Sequence, residues 1–314
     1  MGFGWGTRKK IDNFIRRTFL TIRTTPVLGG RVKQPIHKHE VTQRFNYLEL
    51  SKKVVDLDRV PDFLVAGPQR TGTTWLHNNL VQHPQIFMPK RKEIFYFNLL
   101  NLPNHSKHST HDLAWYLSYF YPGPVRYLSN QIRCWRQFRE PFRPLIRGEA
   151  TASLAAMPPE LIAEVVELNP QIKVIILVRN PIERAWSHAK LALLRSTGKK
   201  LDEVSAQSFE RFFQDSYEVD CGHYTKILEN WSAVVKEGNA FIGNYTDVAV
   251  RPQELLTQLF EFLGVHADQK YVLRQAKEKI NATVRIDIPE RFLHVLQNIY
   301  GEEVARLKDS GFSI

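Results

Sequence analysis

The sequence predicts an α/β fold, a central parallel sheet flanked by helices on both faces. Three observations carry that prediction. Lys173 to Val178 (Lys-Val-Ile-Ile-Leu-Val) is a β-branched apolar run, the pattern of a strand buried on both sides. Phe63-Leu64-Val65-Ala66 is a second short apolar run, closed by Gly67 and followed by a helical pattern from Trp75 to Val81. Strand-like and helix-like segments then alternate as far as residue 263, which is the grammar of a parallel sheet covered on both faces. At 314 residues the chain is long enough to bury a substantial core without staples.

Residues 8–23 place Ile11, Phe14, Ile15, Phe19 and Ile22 at helical spacing, with Arg8, Lys9, Lys10, Arg16, Arg17 and Arg23 between them. This is a short basic amphipathic helix, fit either to attach to an anionic membrane or to pack on its own domain. Residues 24–60 are punctuated by Pro26, Gly29, Gly30 and Pro35 and read as irregular. The chain therefore divides into a basic arm over 1–60 and one domain over 61–314. Within the domain, 122–147 carries four prolines and six arginines with aromatics between, and reads as an irregular excursion over the top of the sheet. It is either a wall for an acidic acceptor or a solvated loop. After the 173–178 strand, residues 181–194 read as helix. Ala240 to Tyr245 reads as a third strand, and Pro252, Leu255, Leu256, Leu259, Phe260 and Leu263 mark a helix over 252–263.

The formal charge of +11 favours anionic ligands or surfaces. It is concentrated at one end, because residues 1–50 hold ten Lys/Arg against three Asp/Glu. That asymmetry argues against nucleic-acid binding by the whole protein. Cys134 and Cys221 are too few for a disulfide framework and read as free thiols in a reducing compartment. No His/Cys/Asp cluster has metal-ligand spacing, so no metal is expected. No stretch approaches the ~20 apolar residues that span a bilayer, and the N-terminus lacks a signal-peptide apolar region. The three Asn-x-Ser/Thr triplets at Asn104, Asn244 and Asn281 then read as chance. The expected location is the cytoplasm, peripheral to a membrane through residues 8–23. A homodimer is left open.

The chemistry concentrates in Gly67-Pro68-Gln69-Arg70-Thr71-Gly72-Thr73-Thr74, between the first strand and its helix. Two glycines five apart let successive backbone N–H groups point inward, and the helix adds its N-terminal dipole. The spacing is that of a Walker A loop, but Thr73 occupies the lysine position, so nothing in the loop spans the outer phosphates of ATP. A cation stands instead on the loop crown, at Arg70. The P-loop kinase or NTPase alternative needs that lysine and a magnesium-binding acid, and neither is plain in the sequence. A non-enzymatic anion binder driven by the arm leaves the loop unexplained.

Phe63 to Leu76 resembles the 5′-phosphosulfate loop of sulfotransferases that use 3′-phosphoadenosine 5′-phosphosulfate (PAPS), written P-K-S-G-T-T-W or G-x-x-K-T-G-T-T, with Arg70 in place of lysine. Val178 to His188 resembles their 3′-phosphate motif, in which a strand-end arginine and a serine eight residues on hold the phosphate. By that match the roles fall to Arg179 and Ser187. Gly148-Glu149-Ala150-Thr151 resembles the family's G-E-x-T/S strand, and Gly222-His223-Tyr224 its G-x-Y helix start. Tyr245-Thr246-Asp247 with Phe262-Leu263-Gly264 resembles its Y-E-D-L and F-L-G pair. The likeness runs over roughly residues 61–265. It implies a P-loop-like sulfotransferase fold that binds PAPS through Arg70, Thr71, Gly72, Thr73, Thr74, Trp75, Arg179, Ser187 and Tyr224, releasing adenosine 3′,5′-bisphosphate.

Lys92-Glu93-Ile94-Phe95-Tyr96-Phe97 resembles the K-E-x-x-F-F segment of carbohydrate sulfotransferases and makes Glu93 the expected general base. Arg70 is permanently charged and would neutralise the leaving phosphate rather than protonate it. Trp75 and Tyr224 are expected to line the adenine, and Glu149 to orient Arg70 or the acceptor. His77, His83, His105, His108 and His111 are alternative bases without a matching context. The family's R-K-G loop has no clear counterpart, which leaves Lys277, Lys279 and Arg285 as its candidates. The acceptor is a carbohydrate or small molecule, suited by acidity to the arginines of 122–147, and a hydroxyl in preference to an amine.

Overall fold

The computed structural model describes residues 47–48, 56–102, 105, 112–277 and 286–314. The arm segment 8–23 lies outside the described residues. Chain order gives β1 (Phe63–Gly67), α1 (Thr73–Leu80), β2 (Ile86–Phe87), α2 (Leu113–Ser118), α3 (Pro124–Phe138) and β3 (Ile146–Ala150). Next come α4 (Pro159–Leu168), β4 (Lys173–Val178), α5 (Pro181–Ala189), α6 (Ala206–Gln214) and α7 (Ser216–Asp220). The chain finishes with α8 (Tyr224–Val234), β5 (Ala240–Asn244), α9 (Asp247–Val250), α10 (Pro252–Leu263) and α11 (Glu290–Asp309). The five strands pair in the order β2-β3-β1-β4-β5, and every pair is parallel.

The period of two sorts the central strands into two cores. Leu64 and Ala66 of β1 join Val174, Ile176 and Val178 of β4 on one face, with Leu161, Ile162 and Val165 of α4 and Ile227, Leu228 and Trp231 of α8. Phe63, Val65, Ile175 and Leu177 face the other way, onto Leu76 and Leu80 of α1 and Leu255, Leu259 and Phe260 of α10. Each Val, Leu, Ile or Phe among them contributes about 1.5–3 kcal/mol by leaving water, so the centre of the sheet is firmly held. A third cluster packs α5 and α6 against α11 through Trp186, Phe209, Phe213, Phe292 and Leu296. A Cβ at Gly148 would meet the Phe63 ring at 2.0 Å, so glycine lets β3 close on β1.

The excursion expected over 122–147 is corrected by the structure. Most of it is helix α3, with Pro124 in its first turn, where a missing N–H costs nothing, and Arg139 as a left-handed C-cap. The prolines that punctuate the sequence bracket this helix instead of breaking it. It lies beside the β2 edge: Arg126 donates to the Met88 carbonyl at 2.6 Å and covers the Phe87 ring. Arg133 donates to the carbonyls of Gln82 and Val81 at 2.5 and 3.0 Å. The helix expected over 181–194 is α5, continued by one wider π turn over Lys190–Arg195. Cys134 and Cys221 are free and buried. Among the described residues, no helix is long and apolar enough to cross a membrane.

Candidate active site

The loop from β1 to α1 turns on three residues of positive φ, Gly67 at 107°, Arg70 at 70° and Gly72 at 86°. A Cβ at Gly67 would lie 2.1 Å from the Ala152 carbonyl oxygen, so only glycine brings the loop this close to the end of β3. Gly72 caps α1 without a side-chain hydrogen bond, which leaves the first N–H groups of the helix for an anion. Thr71 is buried and its hydroxyl donates to the Pro68 carbonyl at 2.7 Å, so that side chain shapes the loop. Thr73 is buried, and Thr74 is half-buried.

The two arginines that the sequence separates by 109 positions meet at this loop. Arg179, just past the end of β4, donates through Nη1 to the Arg70 carbonyl at 2.9 Å and lies over the Tyr245 ring at 4.5 Å. Arg70 donates through Nε to Ser187 Oγ at 2.9 Å. Burial and the neighbouring Arg179 charge both lower the Arg70 pKa. Glu183 approaches Arg179 only at 3.5 Å from an exposed position, and the buried Arg179 Nε has no hydrogen-bond partner. Guanidinium groups brought this close can fork onto an anionic group. Lys190 belongs to the same field. Burial, then Arg179 and Arg70, lowers its pKa. Sequence reasoning missed Lys190, although its place one turn beyond Ser187 on the same helix was a usable signal.

Glu93 stands on a loop between β2 and α2 with φ of 59°. Its Oε1 accepts from Lys92 Nζ at 2.5 Å, and Lys92 Nζ also donates to Thr73 Oγ1 at 2.9 Å. Lys92 therefore ties the carboxylate to the phosphate loop. Glu93 Oε2 accepts from the Ala152 backbone N–H at 3.0 Å. The main chain is pinned as well, by Glu93 N–H on the Ala150 carbonyl at 2.9 Å and Ile94 N–H on Thr151 Oγ1 at 3.1 Å. The side chain keeps 28% exposure, enough to meet a ligand.

Glu149 does not reach Arg70, a second correction. It is buried at the end of β3, accepting from the Tyr116 hydroxyl and from Thr151 Oγ1. Burial, with a smaller push from Glu93, raises its carboxyl to about 7, against the pull of those two hydroxyls. The Thr151 hydroxyl thus links a second carboxyl to the segment that carries Glu93.

Trp75 is 3% exposed in the second core cluster, with its indole N–H on the Ala276 carbonyl at 2.9 Å. An adenine platform needs an open ring face, and the described residues leave Trp75 little of one. Tyr224 is buried at the start of α8 with no well-formed hydrogen bond on its hydroxyl. Burial pushes that phenol well up, partly offset by Arg184 and Arg179. His77 and His83 are buried against backbone carbonyls. His77 Nε2 pairs with the Pro89 carbonyl at 2.9 Å, and His83 Nε2 with the His266 carbonyl at 2.9 Å. Burial lowers both, His83 to about 4. His108, His111, Lys279 and Arg285 lie outside the described residues, whereas Lys277 is described and exposed. Among the described residues no acidic, His or Cys group is arranged to hold a metal.

A family model described as a sulfotransferase domain matches residues 60–286. A solved sulfotransferase from Alicyclobacillus acidocaldarius superposes with a TM-score of 0.55 at 22% identity, covering 79% of this chain and 94% of that one, a likeness of fold. The human protein named bifunctional heparan sulfate N-deacetylase/N-sulfotransferase 2 is 27% identical over 220 residues, 66% of this chain and 22% of that enzyme. Membrane-associated sulfotransferase kil1 of Dictyostelium discoideum is 28% identical over 221 residues, 68% of this chain and 40% of that protein. The chain thus spans less than half the length of these curated relatives.

Proposed function

The chain belongs to the sulfotransferase-domain family, and from that premise we propose that it moves a sulfuryl group from PAPS to a carbohydrate acceptor. The observation that carries this reading is the meeting of Arg70, Arg179 and Ser187 at one loop. A donor with phosphates at both the 5′ and 3′ positions accounts for two arginines beside a helix N-terminus. A triphosphate does not, because Thr73 stands where its lysine would be. The buried, unpaired Arg179 Nε fits a further anionic oxygen.

When bound, the donor supplies an electrophilic sulfuryl group on a phosphate leaving group. Gly72, Thr73 and Thr74 would hold its 5′ end, and Arg179 with Ser187 its 3′-phosphate. Arg70 neutralises charge growing on the departing phosphate without giving up a proton, and departure as the dianion at pH 7 asks for none. Glu93 takes the acceptor proton. Its anchors on Lys92 and Ala152 hold the carboxylate beside the loop, so base and phosphate site keep one geometry.

A carbohydrate acceptor rests on the Glu93 segment and on the heparan sulfate relative. The name of that relative favours an amine over the hydroxyl that the sequence alone suggests. The reading is tested by incubating the protein with sulfur-35-labelled PAPS and a glucosamine–uronate polysaccharide, with its N-acetyl groups intact or removed, beside a simple phenol. Label on either polysaccharide and none on the phenol is expected. Label on the phenol alone contradicts the carbohydrate acceptor, and amine dependence decides between N- and O-transfer.

A further inference from the structure

Helix α3 has two apolar faces, and only one is used. Cys134 and Phe138 enter the core. Val125, Leu128, Ile132 and Trp135 point away from it and are 85, 60, 45 and 52% exposed. Their steps of three, four and three residues draw a straight stripe along the helix. Tyr121 and Leu145 are exposed next to its two flanking turns. Scattered exposed apolar residues are ordinary, but four on one stripe of a single helix mark a contact surface.

Charge selects the partner. Helix α3 holds three arginines and no acid. Arg126 and Arg133 hold the helix to the domain through backbone carbonyls, while Arg136, Arg139 and Arg143 are exposed. Glu140, the acid nearest the helix end, is already engaged by Lys270 and Tyr271. A second copy would set arginines against arginines. Segment 8–23 carries six Lys/Arg against Asp12 and repels the same face. An anionic lipid surface complements both terms. Apolar side chains enter the headgroup boundary, arginines meet phosphates, and Trp135 and Tyr121 have the amphipathic rings that settle at such an interface. The approach is also consistent in space, since Arg59, at the end of segment 1–60, covers the Tyr121 ring at 4.9 Å. Residues 56–60 therefore meet the domain at the turn that leads into α3.

We propose that the outer face of α3, formed by Val125, Leu128, Ile132 and Trp135 with Arg136, Arg139 and Arg143 around it, seats this chain on an anionic membrane surface. The assignment does not depend on the catalytic reading. It is tested by flotation of the full chain with phosphatidylcholine vesicles, with and without phosphatidylserine. The comparison covers wild type, the triple variant Leu128→Ser, Ile132→Ser, Trp135→Ser, and the arm variant Arg16→Glu, Arg17→Glu. Capture by serine-containing vesicles is expected, with partition about tenfold weaker in the triple variant at an unchanged melting temperature. Capture that falls only in the arm variant would overturn the assignment, as would equal capture by uncharged vesicles or none by either. A dimer in solution that the triple variant splits, without vesicle capture, would give the face to a second copy instead.

Discussion

The proposed donor side, around Arg70 and Arg179, and the loop of the proposed base Glu93 are built by different means. Arg70, Arg179 and Ser187 sit within a few residues of the ends of β1 and β4 or on the helix that follows, so the best-packed part of the sheet positions them. Glu93 sits on an irregular loop, and both it and Phe95 take positive φ, at roughly 1–2 kcal/mol for each residue. That loop is held by Ala150, Thr151 and Ala152, nearly sixty positions away in sequence. The proposed donor side is therefore fixed by regular structure. The Glu93 loop depends on a small hydrogen-bonded network, and if Glu93 is the base as proposed, damage to the network should reach catalysis without touching donor binding.

Substitutions can break that contrast, and the largest effect belongs to the base. Glu93→Gln is expected to lower kcat by about 10²–10⁴ while leaving adenosine 3′,5′-bisphosphate affinity unchanged, read by steady-state kinetics beside calorimetry. Arg70→Ala should cost about 10²–10³ in kcat, with Arg70→Lys recovering most of it, because the cation and not the guanidinium shape is required there.

Glu149 sharpens the contrast through stability. Its carboxyl is raised from 4.5 to about 7, so between those values the folded chain keeps a proton that the unfolded chain has released. Stability then falls as pH rises across that window and levels off above it, by up to about 3 kcal/mol. Denaturant melts of wild type between pH 4.5 and 8 should show this slope, and Glu149→Gln should remove it. The smallest effect is expected from Lys92→Met, about a tenfold loss of kcat through a less well-held Glu93. A loss of bisphosphate affinity in that variant would instead assign Lys92 to the donor side.

The same division explains what could be read in advance. The sheet was legible because β1 and β4 are short apolar runs buried on both faces, and the phosphate motifs because they abut those runs. Glu93 was reachable only by resemblance, since no periodicity marks a loop held by distant backbone. The link from Lys92 to Thr73, and the isolation of Glu149 with Tyr116 and Thr151, are tertiary facts without a local pattern. Helix α3 was misread because its prolines lie in its flanks and first turn, where they start a helix rather than stop one. Trp75 has the spacing of a ligand platform and the burial of a core residue, and sequence alone does not separate the two.

The central claim is that Arg179 and Ser187, beside the phosphate loop, read a 3′-phosphate. Calorimetric titration of wild type and Arg179→Ala with adenosine 3′,5′-bisphosphate, 5′-AMP and ATP tests it most directly. The bisphosphate should bind tightest, and Arg179→Ala should weaken it by about 10–100-fold, to the level of 5′-AMP. Preference for ATP, or equal binding of 5′-AMP and the bisphosphate by wild type, would contradict it.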